Sequence, residues 1–94
     1  MSKRFAHEPD ASRFAYYDDE TLLSTLDYVE REGAISLTRA FTSPPQRGHG
    51  YAGDLVEWAV GQIESSSSRR IVPMCWYVGA WFDDHPEKTA LLSR

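Results

Sequence analysis

The feature that most constrains this chain is the stretch Gln46-Arg47-Gly48-His49-Gly50-Tyr51-Ala52-Gly53, which follows Ser43-Pro44-Pro45 and runs into the apolar helical pattern Leu55-Val56-Glu57-Trp58-Ala59-Val60. It reads as a loop that turns a strand into a helix. Gly48, Gly50 and Gly53 let the backbone come close to a ligand and point successive N–H groups the same way, at a helix N-terminus whose dipole favours negative charge. Such a loop is a site for a phosphate or pyrophosphate.

Spacing separates the kinds of glycine-rich loop. No Gly-Lys-Ser or Gly-Lys-Thr is present, so the mononucleotide P-loop fits poorly, and Gly48-His49-Gly50-Tyr51-Ala52-Gly53 meets Gly-x-Gly-x-x-Gly only formally. A dinucleotide fold lacks room, because the strand before the loop is the third in the chain and too little sequence follows.

Composition narrows the remaining choices. Ninety-four residues allow one small domain, which at this size buries about two-thirds of its unfolded surface. A hydrophobic content of 41% supports an ordinary core, and no apolar run approaches the ~20 residues that span a bilayer. Lys3 and Arg4 are followed by polar residues and not by a secretory apolar segment, so the expected address is cytoplasmic, with no membrane partner. Ten basic against fourteen acidic residues give a formal charge of −4, which argues against nucleic acid as a partner and requires a local positive site for any phosphate. Cys75 is the single cysteine, and no second Cys or paired His stands at metal-ligand spacing, so no metal site is expected. A monomer or weak homodimer is expected.

Residues 1–10 are polar, carry both charge signs and lack periodicity, and read as a flexible N-terminal tail before a single domain over 11–94. Phe14 and Tyr16 alternate with Arg13, Ala15 and Tyr17 in a first strand. Thr21 to Glu30 reads as a second strand with Leu22, Leu26 and Tyr28 on one parity, although Leu22-Leu23 and Leu26 also suit a short helix. After the Arg31-Glu32-Gly33 turn, Ala34 to Thr42 is the cleanest strand, with Ile35, Leu37 and Phe41 on one face. Arg39 shares that parity, so unless a bulge shifts the register it must snorkel, pair with a carboxylate or reach a ligand. Tyr51, Ala52, Leu55, Val56, Ala59, Val60 and Ile63 form a helical stripe that ends at Ser65 to Ser68. Ile71 to Met74 suits a buried strand, Trp76 to Asp84 a second helix, and Lys88 to Arg94 a last turn.

Arg47-Gly48-His49-Gly50-Tyr51-Ala52 resembles the Arg/Gln-x-x-Gly-x-Gly/Ala acetyl-coenzyme A loop of the GCN5-related N-acetyltransferases. The order of Pro44-Pro45-Gln46-Arg47-Gly48-His49-Gly50, then Pro73-Met74-Cys75, then His85-Pro86-Glu87 resembles a small single-domain subfamily of them, from about Arg13 to Leu92. The resemblance implies a reduced acyl-coenzyme A N-acyltransferase fold in the α/β (α+β) class, a mostly antiparallel sheet with two helices in the order β-β-β-α-β-α. It implies acetyl-coenzyme A or coenzyme A as cofactor, its pantetheine arm flanked by backbone groups of Phe41, Thr42 and Ser43. Gln46, Arg47, Gly48, His49, Gly50, Tyr51, Ala52 and Gly53 would form the pyrophosphate loop, with N–H groups from Arg47 to Gly53 as donors and the Arg47 side chain adding charge. It also implies a bulge in the strand before the loop.

Acetyl transfer to an amine needs a proton acceptor, an oxyanion stabiliser and an acid for the leaving thiolate. In the resembled subfamily the cysteine at the position of Cys75 looks like the catalytic thiol, as nucleophile or as acid, and a helix N-terminus favours the thiolate; a lone Cys after an apolar strand also suits a small core residue. Subfamily members often carry His-Thr where this chain has Arg39-Ala40, so a histidine base at that position is absent, and Trp76 stands where proline is frequent. Arg69 and Arg70 are alternatives for a 3′-phosphate contact or a charged strand entry, Tyr77 and Trp81 for an acceptor pocket or core, and His85 for a helix end. The first reading is an acetyl-coenzyme A-dependent N-acetyltransferase for a small-molecule or protein amine. The alternative is a coenzyme A or acyl-coenzyme A binding module with little turnover, and a weaker third is a small nucleotide-binding or interaction domain.

Overall fold

The computed structural model describes residues 2–94. One five-stranded sheet runs in chain order through β1 (Lys3–Glu8), β2 (Arg13–Asp18), β3 (Thr21–Arg31), β4 (Ala34–Thr42) and β5 (Arg70–Pro73). The first four strands are antiparallel, and β5 lies parallel to β4. A parallel neighbour needs a crossover, and α1 (Tyr51–Ser66) supplies it across one face of the sheet. The second helix, α2 (Trp76–Asp83), follows β5, and short 3-10 segments occupy Pro9–Ala11, Pro44–Gln46 and Pro86–Leu92. The mixed, mostly antiparallel architecture with two α-helices agrees with the expectation, but the order is β-β-β-β-α-β-α.

The added strand over Lys3–Glu8 corrects the reading of residues 1–10 as a flexible tail, of which Met1 lies outside the described residues. Its register with β2 runs from Lys3 opposite Asp18 to Glu8 opposite Arg13. Lys3, Phe5 and His7 share the face toward α1, and the two rings make its contacts. The Phe5 ring stacks on Tyr16 at 4.1 Å and on Trp58 at 5.2 Å, while His7 stacks on Phe14 at 4.6 Å and its Nε2 lies 2.6 Å from the Tyr28 hydroxyl. An edge strand buries one face against a single neighbour, so two rings among charged residues suffice, and composition hides it.

Two bulges reassign side chains to faces. In β3, Tyr16 pairs with Ser24 and Tyr17 with Leu22, so Leu23 is the extra residue and takes the core position expected of Leu22. In β4, Asp27 pairs with Arg39 and Tyr28 with Leu37, leaving Thr38 unpaired. Beyond Thr38 the parity reverses: Ala40 packs against the core, and Arg39 and Phe41 turn to the opposite face, with the guanidinium 5.1 Å from the ring centre. Phe41 therefore does not share a face with Ile35 and Leu37.

A single apolar cluster fills the space between sheet and helices. Leu55, Val56, Ala59, Val60 and Ile63 of α1 meet Phe14, Tyr16, Leu26, Tyr28, Ile35 and Leu37 of the sheet, while Ile71, Val78, Phe82 and Leu91 close one side. Burial of an apolar side chain contributes roughly 1.5–3 kcal/mol, so this cluster holds α1 on the strand ends that carry the glycine-rich loop. Among the described residues no helix is long and apolar enough to cross a membrane.

Candidate functional site

The site begins where two parallel strands part. The β4–β5 register runs only from Ala34 opposite Arg70 to Leu37 opposite Pro73. β4 continues to Thr42, while the chain after Pro73 turns away through Met74. The last link across the divide is the Cys75 N–H donating to the Leu37 carbonyl at 3.1 Å, beside the Thr38 bulge. From Thr38 onward the side of β4 that faced β5 has no strand partner among the described residues.

The glycine-rich loop closes the open end of that gap. Ser43 leads into the Pro44–Gln46 turn, in which the Gln46 N–H donates to Ser43 and the Arg47 N–H to Pro44. The Arg47 N–H is thus engaged in the turn and is not part of the donor run expected from Arg47 to Gly53. Gly48 (φ +88°) and Gly50 (φ +76°) then take left-handed conformations that other residues enter at a cost of about 1–2 kcal/mol. Their consequence is a helix start without a side-chain cap: Gly50 precedes α1, and the first helical bond is from Asp54 to the Gly50 carbonyl. The N–H groups from Gly48 to Gly53 have no acceptor among the described residues, and all lie at the positive end of α1.

A cavity of about 180 Å³ sits against this run, lined by Thr42, Gln46, Arg47, Gly48, Gly50, Tyr51, Ala52 and Tyr77. Gly53 lies behind it, so close to α2 that a Cβ there would stand 3.2 Å from the Tyr77 hydroxyl. Burial, and next the charge of Asp54, push the Tyr77 phenol above its usual value, so the hydroxyl stays a donor. His49 is exposed and stacks on Tyr51 at 5.2 Å. Two rim carbonyls are occupied: the buried Ser24 hydroxyl donates to Phe41 at 2.8 Å, and Arg47 Nε donates to Thr42 at 3.2 Å. Ser24 Oγ also lies 3.0 Å from the Thr42 hydroxyl, which fixes the end of β4.

Cys75 precedes α2 with extended backbone (φ −82°, ψ 133°), and its carbonyl starts that helix by accepting from the Gly79 N–H. The residue is partly buried against the core. It stands at the divide between β4 and β5 and not in the lining of the cavity. Its neighbours Met74 and Trp76 are exposed, by 66% and 81%. Phe41, Ser43, His49 and Gly53 also lie outside the cavity lining.

The remaining candidates separate. Arg69 pairs with Glu30 at 2.6 Å, and Arg70 lies at the start of β5; because β5 runs parallel to β4, both are at the far end of the sheet from the loop. Neither reaches it. His85 Nδ1 lies 2.7 Å from the Trp81 carbonyl, with the imidazole stacked on the indole at 3.9 Å, so it closes α2. Sequence reasoning missed Ser24, a polar residue in an apolar strand whose one signal was its position beside Leu23. Of the two aromatics weighed for an acceptor pocket or core, Tyr77 lines the cavity at the loop, whereas Trp81 is buried in the core.

A family model described as GCN5-related N-acetyl-transferase matches residues 13–91. No curated protein matches the chain.

Proposed function

Because the chain belongs to the GCN5-related N-acetyltransferase family, we propose that it is an acetyl-coenzyme A-dependent N-acetyltransferase acting on a small-molecule or protein amine. The observation that carries this reading is the run of unpaired N–H groups from Gly48 to Gly53 at an uncapped helix start, beside a gap between parallel strands. Donors so grouped fit a pyrophosphate. Arg47 adds a guanidinium once it leaves the Thr42 carbonyl, and the gap alongside Phe41, Thr42 and Ser43 leads from the loop toward Cys75.

Acetyl-coenzyme A would supply the reactive thioester. The chain supplies placement. The β4 edge beyond Leu37 offers backbone groups to an extended arm, and the apolar cluster beneath excludes water from one side. Cys75 is the candidate thiol at the inner end of the gap, as nucleophile toward the acyl carbon or as proton donor to the departing thiolate. No histidine occupies β4, so an amine acceptor loses its proton to another group or to solvent. A coenzyme A or acyl-coenzyme A binding module with little turnover is the second reading, favoured by that missing base.

Calorimetric titration with acetyl-coenzyme A and, in parallel, ATP tests the site on the wild type, Gly50→Asp and Cys75→Ala. Saturable binding of acetyl-coenzyme A alone, lost in Gly50→Asp and kept in Cys75→Ala, supports the loop as cofactor site. Amine-dependent release of free thiol then separates a transferase from a binding module. A folded wild type that does not bind acetyl-coenzyme A would sink both readings.

A further inference from the structure

The sheet face opposite α1 carries a charge unlike that of the molecule. Alternation from the core residues assigns Arg4, Arg13, Arg31, Arg39 and Arg70 to this face, half of the ten basic residues, against only Glu8 and Asp27 of the fourteen acidic ones. Glu8 is neutralised by Arg13 at 2.6 Å. Arg4, Arg31, Arg39 and Arg70 have no carboxylate partner within 4.0 Å among the described residues, and all four are exposed. The Thr38 bulge is what turns Arg39 onto this face.

Between the guanidiniums the floor is small and apolar. Ala15 and Ala34 are buried although they lie outside the main core cluster, and Val29 is 41% exposed. Toward β5 the floor dips into an open basin of about 640 Å³ floored by Ala34, Ser36 and Val72 and rimmed by Arg31 and Arg70 together with Glu30 and Glu32; Glu30 is engaged by Arg69 at 2.6 Å, which leaves Glu32 as the one free carboxylate of the rim among the described residues. Among the described residues no helix packs on this face.

We propose that this face docks an acidic polypeptide segment lying across the strands, its carboxylates paired with Arg31, Arg39 and Arg70 and its small apolar side chains on the Val29–Val72 floor. Guanidiniums bind carboxylates as planar, two-pronged donors, and this face is opposite in sign to the net charge of −4. A nucleic acid fits less well. Its bases need bare rings to stack on, whereas Arg4 already covers Tyr17 at 4.3 Å and Arg39 covers Phe41.

Fluorescence anisotropy with a labelled peptide of alternating glutamate and valine tests this, against the glutamine–valine peptide and a single-stranded oligonucleotide. The wild type is expected to bind the glutamate peptide at least about tenfold more tightly than either competitor, more weakly as salt shortens the screening length. Arg31→Gln/Arg70→Gln and, separately, Arg39→Gln are each expected to weaken binding several-fold with unchanged circular dichroism, while Lys88→Gln on the helical side leaves it unchanged. Equal binding of the glutamine peptide, equal or tighter binding of the oligonucleotide, or self-association abolished by the arginine substitutions would each overturn the proposal.

Discussion

The Cys75 N–H donates to the Leu37 carbonyl at 3.1 Å, and Thr38, the next residue along β4, is the bulge. Pairing, strand divergence and the change of face therefore happen within two residues. Beyond this point β4 offers an unpaired edge on one side and turns Arg39 outward, so the same irregularity opens the gap and charges the opposite surface.

Gly53 and Tyr77 are coupled across the α1–α2 contact. An added Cβ meets the hydroxyl at 3.2 Å, a contact that opposes the gain from replacing glycine by alanine in a helix, about 1 kcal/mol in an interior and less in the first turn where Gly53 stands. Gly53→Ala should be near neutral in the wild type and stabilising by roughly 0.5–1 kcal/mol in Tyr77→Phe. Denaturant unfolding of the four proteins measures the coupling; strict additivity would mean that the tyrosine yields freely.

Phe5 anchors β1 through its stacks on Tyr16 and Trp58. Truncating a half-buried ring to Phe5→Ala should cost about 2 kcal/mol, below the range for a fully enclosed one. Hydrogen exchange at β1 amides should accelerate in parallel. A loss under roughly 0.5 kcal/mol, within the usual scatter of surface substitutions, would return residues 3–8 to the status of a tail.

Ser24 holds the rim of the gap by its bonds to Phe41 and Thr42. Ser24→Ala leaves the Phe41 carbonyl without that donor and should cost about 1–2 kcal/mol. Affinity for acetyl-coenzyme A, by titration, should fall as well, because the strand end is no longer fixed. Unchanged affinity in a destabilised variant would confine Ser24 to a structural role.

Glu8 is held below the usual carboxylate range, first by the hydrogen bond from Tyr17 and then by that from Arg13. A lowered folded-state value contributes stability that is present above the unfolded value and is lost as pH falls through the lowered one. Wild type should therefore lose more stability on acidification than Glu8→Gln, and Tyr17→Phe should fall between them. Thermal unfolding followed from neutral to acid pH reads the difference; parallel curves would show that the pair contributes nothing to pH dependence.

Local pattern determined much of this protein. Alternation placed β2, β3 and β4, the 3.6-residue stripe placed α1, and the paired proline and glycine chemistry of residues 44–53 placed the loop, because each signal is written in neighbouring residues whose backbone preferences do not depend on distant contacts. Tertiary structure decided what depends on partners. The ladder of β2 makes residues 3–8 a strand despite their polarity, and the bulges at Leu23 and Thr38 arise from register between strands, which no single strand encodes. The placement of Arg69 and Arg70 far from the loop follows from the parallel direction of β5, and Tyr77 reaches Gly53 only because α2 packs beside α1. An unpaired N–H or guanidinium is likewise a property of what surrounds it, so the donor run from Gly48 to Gly53 and the arginine face became visible only when the chain was folded.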